Sequence, residues 1–476
     1  MLSKLRQHIE TPVEAAPLAV FRILFGSMLF LGLVRFASYG WIDKLYVQPK
    51  FFFSYYGFEW IKPIGSYTYI LFLICAIACI MVALGYKYRS AIIVLFFSFT
   101  YIELMDKTTY LNHYYFTSIL AFLMIFLPAG AYYSIDALKN PRKAFQKIPA
   151  WTINSIKLLL GIVYFYAGLA KLNSDWLIEA MPLKIWLPSK FDIPLVGDFF
   201  HLEWVQYAFS WGGAIYDLSI PFLLLYRKTR PFAFVAVVIF HMATWVLFPI
   251  GMFPFIMIVS TLIFFDAKVH HKLLGYLDVL MNIGKTIFYT AKTRFDNAKT
   301  PIENSRSPFD NGKILPVGDA TGSRIKHAVV ILFFIVQLLF PFRYLAYPGE
   351  LFWTEEGYRF SWRVMLMEKS GYAQFKVVDG ETGKWFYVDN TDFLTPFQEK
   401  QMAFQPDFIL EYAHYLKSDF EKNGHQDVEV YVDSRVSLNG RLSAPFIDPD
   451  VDLVLEKESF EHKEWILPFE DEITGI

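Results

Sequence analysis

Charge is scarce in this 476-residue chain: Asp, Glu, Lys and Arg make up 19% of it, and the formal net charge at pH 7 is -1. Such a balance builds no basic field for nucleic acid, and the lysines and arginines lie between apolar runs rather than in one patch. Cysteine is scarcer still. The two that exist, Cys75 and Cys79, stand at i,i+4 inside one apolar run, where they read as small core residues, and no structural disulfide is expected outside the membrane. The last quarter of the chain has no metal-ligand cluster, glycine-rich phosphate loop or nucleophile elbow, so it names no activity by itself. What is abundant is apolar: 55% of residues are hydrophobic and 19% aromatic. That composition is too greasy for an ordinary soluble protein and indicates a polytopic membrane protein.

Runs of about the 20 residues needed to cross a bilayer fall near 17–38, 66–85, 88–105, 112–134, 151–171, 204–226, 231–248, 250–266 and 326–345. The seventh and eighth are separated by "FPIGMFPF" (248–255), which reads either as a tight turn between two short spans or as a break within one re-entrant element. The polar N-terminus leads into an apolar run longer than a signal-peptide core, so no cleaved signal is expected. The stretch from about 268 to 325 is polar and loop-like. Past Tyr347 no further span occurs.

The expected fold is therefore an α-helical membrane domain of about 8–9 transmembrane helices over 1–347, followed by a small α+β domain over 348–476. In that tail "YAQFKVV" and "KWFYVDN" flank the turn "DGETG" as a hairpin, and "VEVYVDSRVSL" alternates like another strand. A helix is expected through 395–424, interrupted near Pro406. If the N-terminus (Lys4, Arg6) is cytoplasmic, the loops around Lys87 and Arg89, Lys139 to Lys147, Arg227 to Arg230 and Lys268 to Lys326 share its side. They outnumber Lys44, Lys50, Lys62 and Lys107 opposite, and nine spans put the tail outside.

This topology brings unusual polar residues to one outer boundary. Asn112 and His113 ("TTYLNHYY") stand at the outer end of the fourth span and Lys171 ("YFYAGLAKLNSD") at that of the fifth, with Tyr164 two helical turns before it on nearly the same face. His241 lies in the outer half of the seventh span, and Asp217 interrupts the sixth. The segment "YPGELFWTEEGYRFSWR", with Trp353, Tyr358 and Trp362, arrives at the same surface. Taken singly each has an ordinary explanation: a snorkelling lysine, a capping or hydrogen-bonded histidine, an inter-helix carboxylate, an aromatic belt. Their convergence at one depth points to chemistry.

The motifs "YFYAGLAKLNSDW", "DKTTYLNHYYF", "YDLSIPFLLL", "FHMATWVLFPIGMF" and "SLNGR" to "FIDPDVDL" together resemble the vitamin K-dependent gamma-carboxylases over nearly the whole chain and in the family's order. The resemblance implies coupling of vitamin K hydroquinone oxidation, to the epoxide, with carboxylation of peptidyl glutamate. The quinol would be a reduced menaquinone or phylloquinone, with O2 and CO2 as co-substrates. It makes Lys171 the base that deprotonates the quinol and His113 the residue assisting the carbanion chemistry. Asn112 and Tyr164, joined by His241 and Asp217, become cofactor-site candidates, and Tyr358, Trp362 and Trp353 substrate-site candidates. The partners implied are a glutamate-containing peptide, a lipid-soluble quinol and membrane lipids.

Chemically the assignment is sensible. A γ-methylene hydrogen beside a carboxylate is too weakly acidic for any protein side chain, so an energetic reaction must create the base. Lys171 has only to take a phenolic proton, which requires a neutral amine in an apolar surround. A close Asp217 would oppose that, so the two are expected not to pair directly. The chain departs from the animal enzymes in ending soon after "KEWILPF", in Ala170 where a second lysine stands, and in Tyr344 and Gly357 where a histidine and a leucine stand. There is no N-x-S/T sequon, which favours a bacterial inner membrane. Two alternatives stay open: a quinol oxygenase whose carboxylation is lost or redirected, and a transporter or lipid-binding protein whose lysine and histidines line a polar path.

Overall fold

The computed structural model describes residues 9–279, 312–315 and 320–475. Its membrane part opens with β1 (Pro12–Glu14) and α1 (Ala16–Ser38), followed by α2 (Thr68–Leu84), α3 (Tyr88–Leu104) and α4 (Asn112–Phe126). Strand β2 (Lys147–Pro149) pairs antiparallel with β1, and α5 (Ala150–Leu169), α6 (Glu203–Leu225), α7 (Arg230–Leu247), α8 (Phe253–Thr261) and α9 (Ala320–Leu339) follow. Among the described residues six helices are long and apolar enough to cross a membrane: Ala16–Ser38, Gly65–Leu84, Ala150–Leu169, Glu203–Leu225, Arg230–Leu247 and Arg324–Ala346. The protein is an integral membrane protein of α-helical architecture with an α+β tail.

Where the helices depart from the apolar runs, proline explains it. The fourth apolar run extends to 134, yet α4 stops at Phe126, because Leu127 precedes Pro128 and is extended (φ -90°, ψ 144°). Phe248, before Pro249, ends α7 in the same way. Gly251 then takes a left-handed φ of +62° and Pro254 starts α8, so "FPIGMFPF" is a tight turn between two helices. With its 3-10 extension to Phe264, α8 is roughly 18 Å long, too short to span alone. Of the polar stretch at about 268–325, residues through 279 continue a helix, and 312–315 run beside β2, where Leu315 N–H donates to the Lys147 carbonyl at 2.9 Å. Residues 320–325 open α9, and 280–311 and 316–319, like Lys4 and Arg6, lie outside the described residues.

Helices approach closely where glycine permits. A Cβ on Gly26 of α1 would sit 2.6 Å from the Cys79 carbonyl of α2, beside the buried, unpaired cysteines. A Cβ on Gly168 of α5 would sit 2.8 Å from the Leu218 backbone nitrogen of α6. That second contact sets the site, since Lys171 and Asp217 flank it.

The tail follows its sequence pattern. Strands β3 (Lys369–Val378), β4 (Trp385–Tyr387), β5 (Glu429–Leu438) and β6 (Ala444–Pro445) form an antiparallel sheet ordered β4-β3-β5-β6. Alternate residues Ala373, Phe375 and Val377 of β3 are buried against Val430, Val432 and Val436 of β5 and against two helices, α10 (Pro396–Met402) and α11 (Pro406–Lys422). Thr395 and Gln398 close a capping box at α10, and Pro406 starts α11, which breaks the expected helix where proline dictates. The tail's core is continuous with connecting segments and the end of α7 in the membrane part: Phe53, Trp176, Leu183 and Leu247 belong to the same buried cluster as Phe375 and Phe408. The two parts are packed together rather than tethered.

Candidate functional site

A cavity of about 820 Å³ lies where helices α1, α3, α4, α5, α6, α7 and α8 meet the tail segment 358–367. Its walls are mostly apolar, and the polar groups on them are few. Lys171, two residues beyond the end of α5, is 5% exposed. Its Nζ lies 2.9 Å from Asp217 Oδ2, donates to the Ala167 carbonyl at 3.0 Å and sits 5.2 Å from the centre of the Trp176 ring. The expectation that Lys171 and Asp217 stay apart is therefore overturned. The Gly168–Leu218 contact leaves no room between α5 and α6, and a carboxylate brought there without a partner would cost several kcal/mol, roughly what burial of an unpaired ion costs. Among the described residues Asp217 has no other ion-pair partner.

Tyr164 stands two turns earlier on the same face of α5, and its hydroxyl is 2.9 Å from Nε2 of His241 on α7. Among the described residues Nδ1 of His241, which is buried, has no hydrogen-bond partner. Phe253, at the start of α8, separates this pair from His113: its ring stacks on the His113 ring at 5.4 Å and meets the His241 ring edge-on at 6.0 Å. Among the described residues neither ring nitrogen of His113 has a protein hydrogen-bond partner. Asn112 is committed to the frame, accepting from the Tyr110 hydroxyl at 3.1 Å and donating to the Arg363 carbonyl at 2.9 Å. That second bond ties the start of α4 to the tail.

Thus seven of the sequence candidates, Asn112, His113, Tyr164, Lys171, Asp217, His241 and Tyr358, line one cavity. Trp353 and Trp362 do not. Trp353 belongs to the tail's core, its indole N–H donating to the Leu467 carbonyl at 2.8 Å and its ring packed on Phe446 and Phe469. Trp362 packs on Tyr115 and Phe116. Their size and aromaticity make them look like binding residues, yet both are more than nine-tenths buried.

The wall also includes residues that are not among the sequence candidates, Arg35 near the end of α1, Glu103 near the end of α3, and Trp176 among them. Glu103 carries a signal that could have found it, an acidic residue inside an apolar run. One of its oxygens accepts from the Ser118 hydroxyl and the other is buried without a partner among the described residues.

Two family models match this chain. One, described as the HTTM domain, covers residues 10–268, and the other, the lumenal domain of vitamin K-dependent gamma-carboxylase, covers residues 322–472. The chain belongs to the vitamin K-dependent gamma-carboxylase family. No solved structure matches it. The boundary between the two family segments falls in the polar stretch before α9, so the cavity is built by both: the first supplies Lys171, Asp217 and the histidines, and the second supplies Tyr358 and its neighbours.

Proposed function

We propose that the chain is a vitamin K hydroquinone-dependent peptidyl-glutamate carboxylase. The observation that carries this reading is the buried Lys171–Asp217 pair on the wall of a large apolar cavity, with an unpartnered histidine nitrogen nearby. The cavity volume falls in the usual range for small-molecule sites, roughly 300–1,000 Å³, and its walls suit a lipid-soluble quinol. Lys171, Asp217, Tyr164 and His241 would hold the quinol head, and the apolar sides formed by α1 and α8 would take its chain. When bound, the quinol supplies through its oxygenation a base strong enough to act on a glutamyl γ-carbon.

The protein's share is proton handling and exclusion of water. For Lys171 to receive a phenolic proton its amine must be neutral, and the Asp217 carboxylate, 2.9 Å away, is the group placed to take the ammonium's proton and so free the nitrogen's lone pair for the phenol. A shared proton avoids two unsolvated charges in an apolar wall. His113, with both nitrogens uncommitted and its ring fixed by Phe253, is placed to act on the carboxylation half. Tyr358 reaches the cavity from the tail, the side from which a water-soluble peptide would come. The reading places the tail outside the cytoplasm, in a bacterial inner membrane.

Quinol oxidation without carboxylation is favoured by one observation. Tyr344 and Gly357, two of the departures from the animal enzymes, touch: a Cβ on Gly357, whose φ is +86°, would fall 2.8 Å from the Tyr344 nitrogen. A leucine at 357 would be strained there. Membranes given reduced vitamin K, labelled bicarbonate and a glutamyl peptide separate the readings. Epoxide together with fixed label is the expected result, epoxide alone selects the oxygenase, and neither product rejects both.

A further inference from the structure

The turn after Lys171 is held by the tail. Asp175, 1% exposed, takes a two-pronged contact from Arg441, with Nη1 to Oδ2 at 2.7 Å and Nη2 to Oδ1 at 2.8 Å, and its Oδ2 also accepts from Asn439 Nδ2 at 2.7 Å. Arg441 is fixed from its other edge by Asp471, Nε to Oδ2 at 2.6 Å. Beside this contact Ser174 N–H donates to the Thr474 carbonyl at 2.7 Å, and Thr474 N–H donates to Ser174 Oγ at 3.0 Å. Trp176 is the next residue along. Its amide donates to Asn173 Oδ1 at 2.9 Å, its indole N–H donates to the Ser210 carbonyl at 2.8 Å, and its ring covers the Lys171 amine.

We propose that Asp175 and Arg441 are positioning residues of the proton-accepting site, the pair setting the turn 172–176 so that the Trp176 indole closes over the Lys171 amine and keeps it against Asp217. Neither residue is on the cavity wall, so both act through Trp176. A bidentate guanidinium–carboxylate contact is suited to this role, because it fixes orientation as well as distance, which a lysine or a single hydrogen bond would not. Its product is dryness at one nitrogen. An amine that water reaches shares its proton with solvent, whereas a covered one exchanges it only with Asp217 and with what enters the cavity. The inference deepens the reading of Lys171 as proton acceptor and rests on it.

The test uses the full chain in lipid and reads Lys171 without requiring turnover. Lysines are reductively methylated and followed by peptide mass spectrometry, with Lys107 and Lys369, also buried, as internal markers of an intact fold. In the unaltered protein all three react slowly. In Arg441→Gln, Lys171 should react about tenfold faster or more while Lys107 and Lys369 stay slow. Arg441→Lys, keeping the charge, should retain part of the protection, and Asp175→Asn combined with Arg441→Gln should add nothing to either alone, as expected of two halves of one contact. In activity assays kcat for epoxide should fall by about tenfold in Arg441→Gln, with KM for the quinol changed by less than about twofold.

Equal protection of Lys171 in Arg441→Gln overturns the proposal. So does simultaneous opening of Lys107 and Lys369, which would make the contact a general element of the fold. A protein that forms no epoxide but exposes Lys171 selectively keeps the positioning and removes the proposed reaction. An active protein whose Lys171 stays covered in Arg441→Gln does the reverse.

Discussion

Lys107 and Lys171 are both buried against carboxylates, and they are used in opposite ways. Lys107 sits where the loop after α3 meets the tail, 2.7 Å from Asp407 and 3.3 Å from Glu411. Both carboxylates are engaged a second time, Asp407 by Arg359 at 2.7 Å and Glu411 by the Ser54 N–H at 2.7 Å. None of these groups faces the cavity. Lys171 has one carboxylate, which among the described residues has no second ion-pair partner, and both stand on the cavity wall. The junction commits its polar capacity to holding two parts of the chain together, whereas the site keeps capacity in reserve. A fully satisfied network rigidifies, and an incompletely satisfied one is available to a ligand.

The largest effect expected is at Lys171 itself. Lys171→Met should abolish epoxide and fixed label together, and Lys171→Arg should not restore them, because a guanidinium does not deprotonate in this range. The variant should also lose stability, since Asp217 is left buried and unpaired. Adding Asp217→Leu should return stability without returning activity, because an apolar pair replaces a buried ionic one at little cost. Lys107→Met should do the converse, losing roughly 3–5 kcal/mol of stability while folded molecules turn over normally. Unfolding curves and epoxide assays on the same samples decide it; near-normal epoxide formation by Lys171→Met would leave the lysine a structural partner of Asp217.

A second contrast sets two glycines against each other. Gly168→Val must push α5 from α6 next to the Lys171–Asp217 contact, and a displacement near 1 Å should cost about 100-fold in epoxide formation. Gly26→Val forces α1 from α2 by a comparable clash away from the cavity and should lower stability with little change per folded molecule. Similar activity losses in both would show that helix spacing at Gly168 is not what places the pair.

Within the cavity, His113→Ala should reduce fixed label more than epoxide, because the proposed role of His113 follows quinol oxidation. Equal loss of both would make it a quinol-site residue.

Much of this is legible in the sequence, for identifiable reasons. Apolar runs give the helices, alternation gives β3 and β5, and the "TPFQEK" capping signal with Pro406 gives the two tail helices almost to the residue. Polar residues embedded in apolar runs lead to seven cavity residues. What is not legible is contact between elements. Nothing local to Lys171 says that Asp217, 46 positions later, is within 2.9 Å; that follows from Gly168 meeting Leu218. Nor do Trp353 and Trp362 show in sequence which core they fill. The Asp175–Arg441 contact spans 266 positions and joins two motifs that sequence displays only separately.

The smallest effect expected is a pH window in the junction. Asp106, 1% exposed, receives Thr108 N–H at 2.9 Å and Gln398 Nε2 at 3.2 Å from α10, yet burial outweighs these bonds and pushes its carboxyl up to about 7. Asp407 goes the other way: burial would raise it, but the Arg359 guanidinium and the Lys107 ammonium prevail and hold it well below the usual carboxylate range. By linkage, a carboxyl raised in the folded state contributes stability that is full below its unfolded value, roughly 3.9, and is lost as pH rises through the folded value near 7. A depressed carboxyl contributes stability present above roughly 3.9 and lost as pH falls below it. The tail should therefore dock most firmly near pH 4, weakening as pH rises from there to about 7 and as it falls below about 4. Glu411, raised by burial against the pull of Lys107, adds to the alkaline side. Amide exchange in α10 and α11 measured across this range should show slowest opening near pH 4. Asp106→Asn should flatten the rise between about pH 4 and pH 7 while leaving the acid side intact, because it removes the group that must ionise at the buried junction and keeps Asp407 between its two cations. An unchanged alkaline rise in that variant would assign the titration to Glu411 instead.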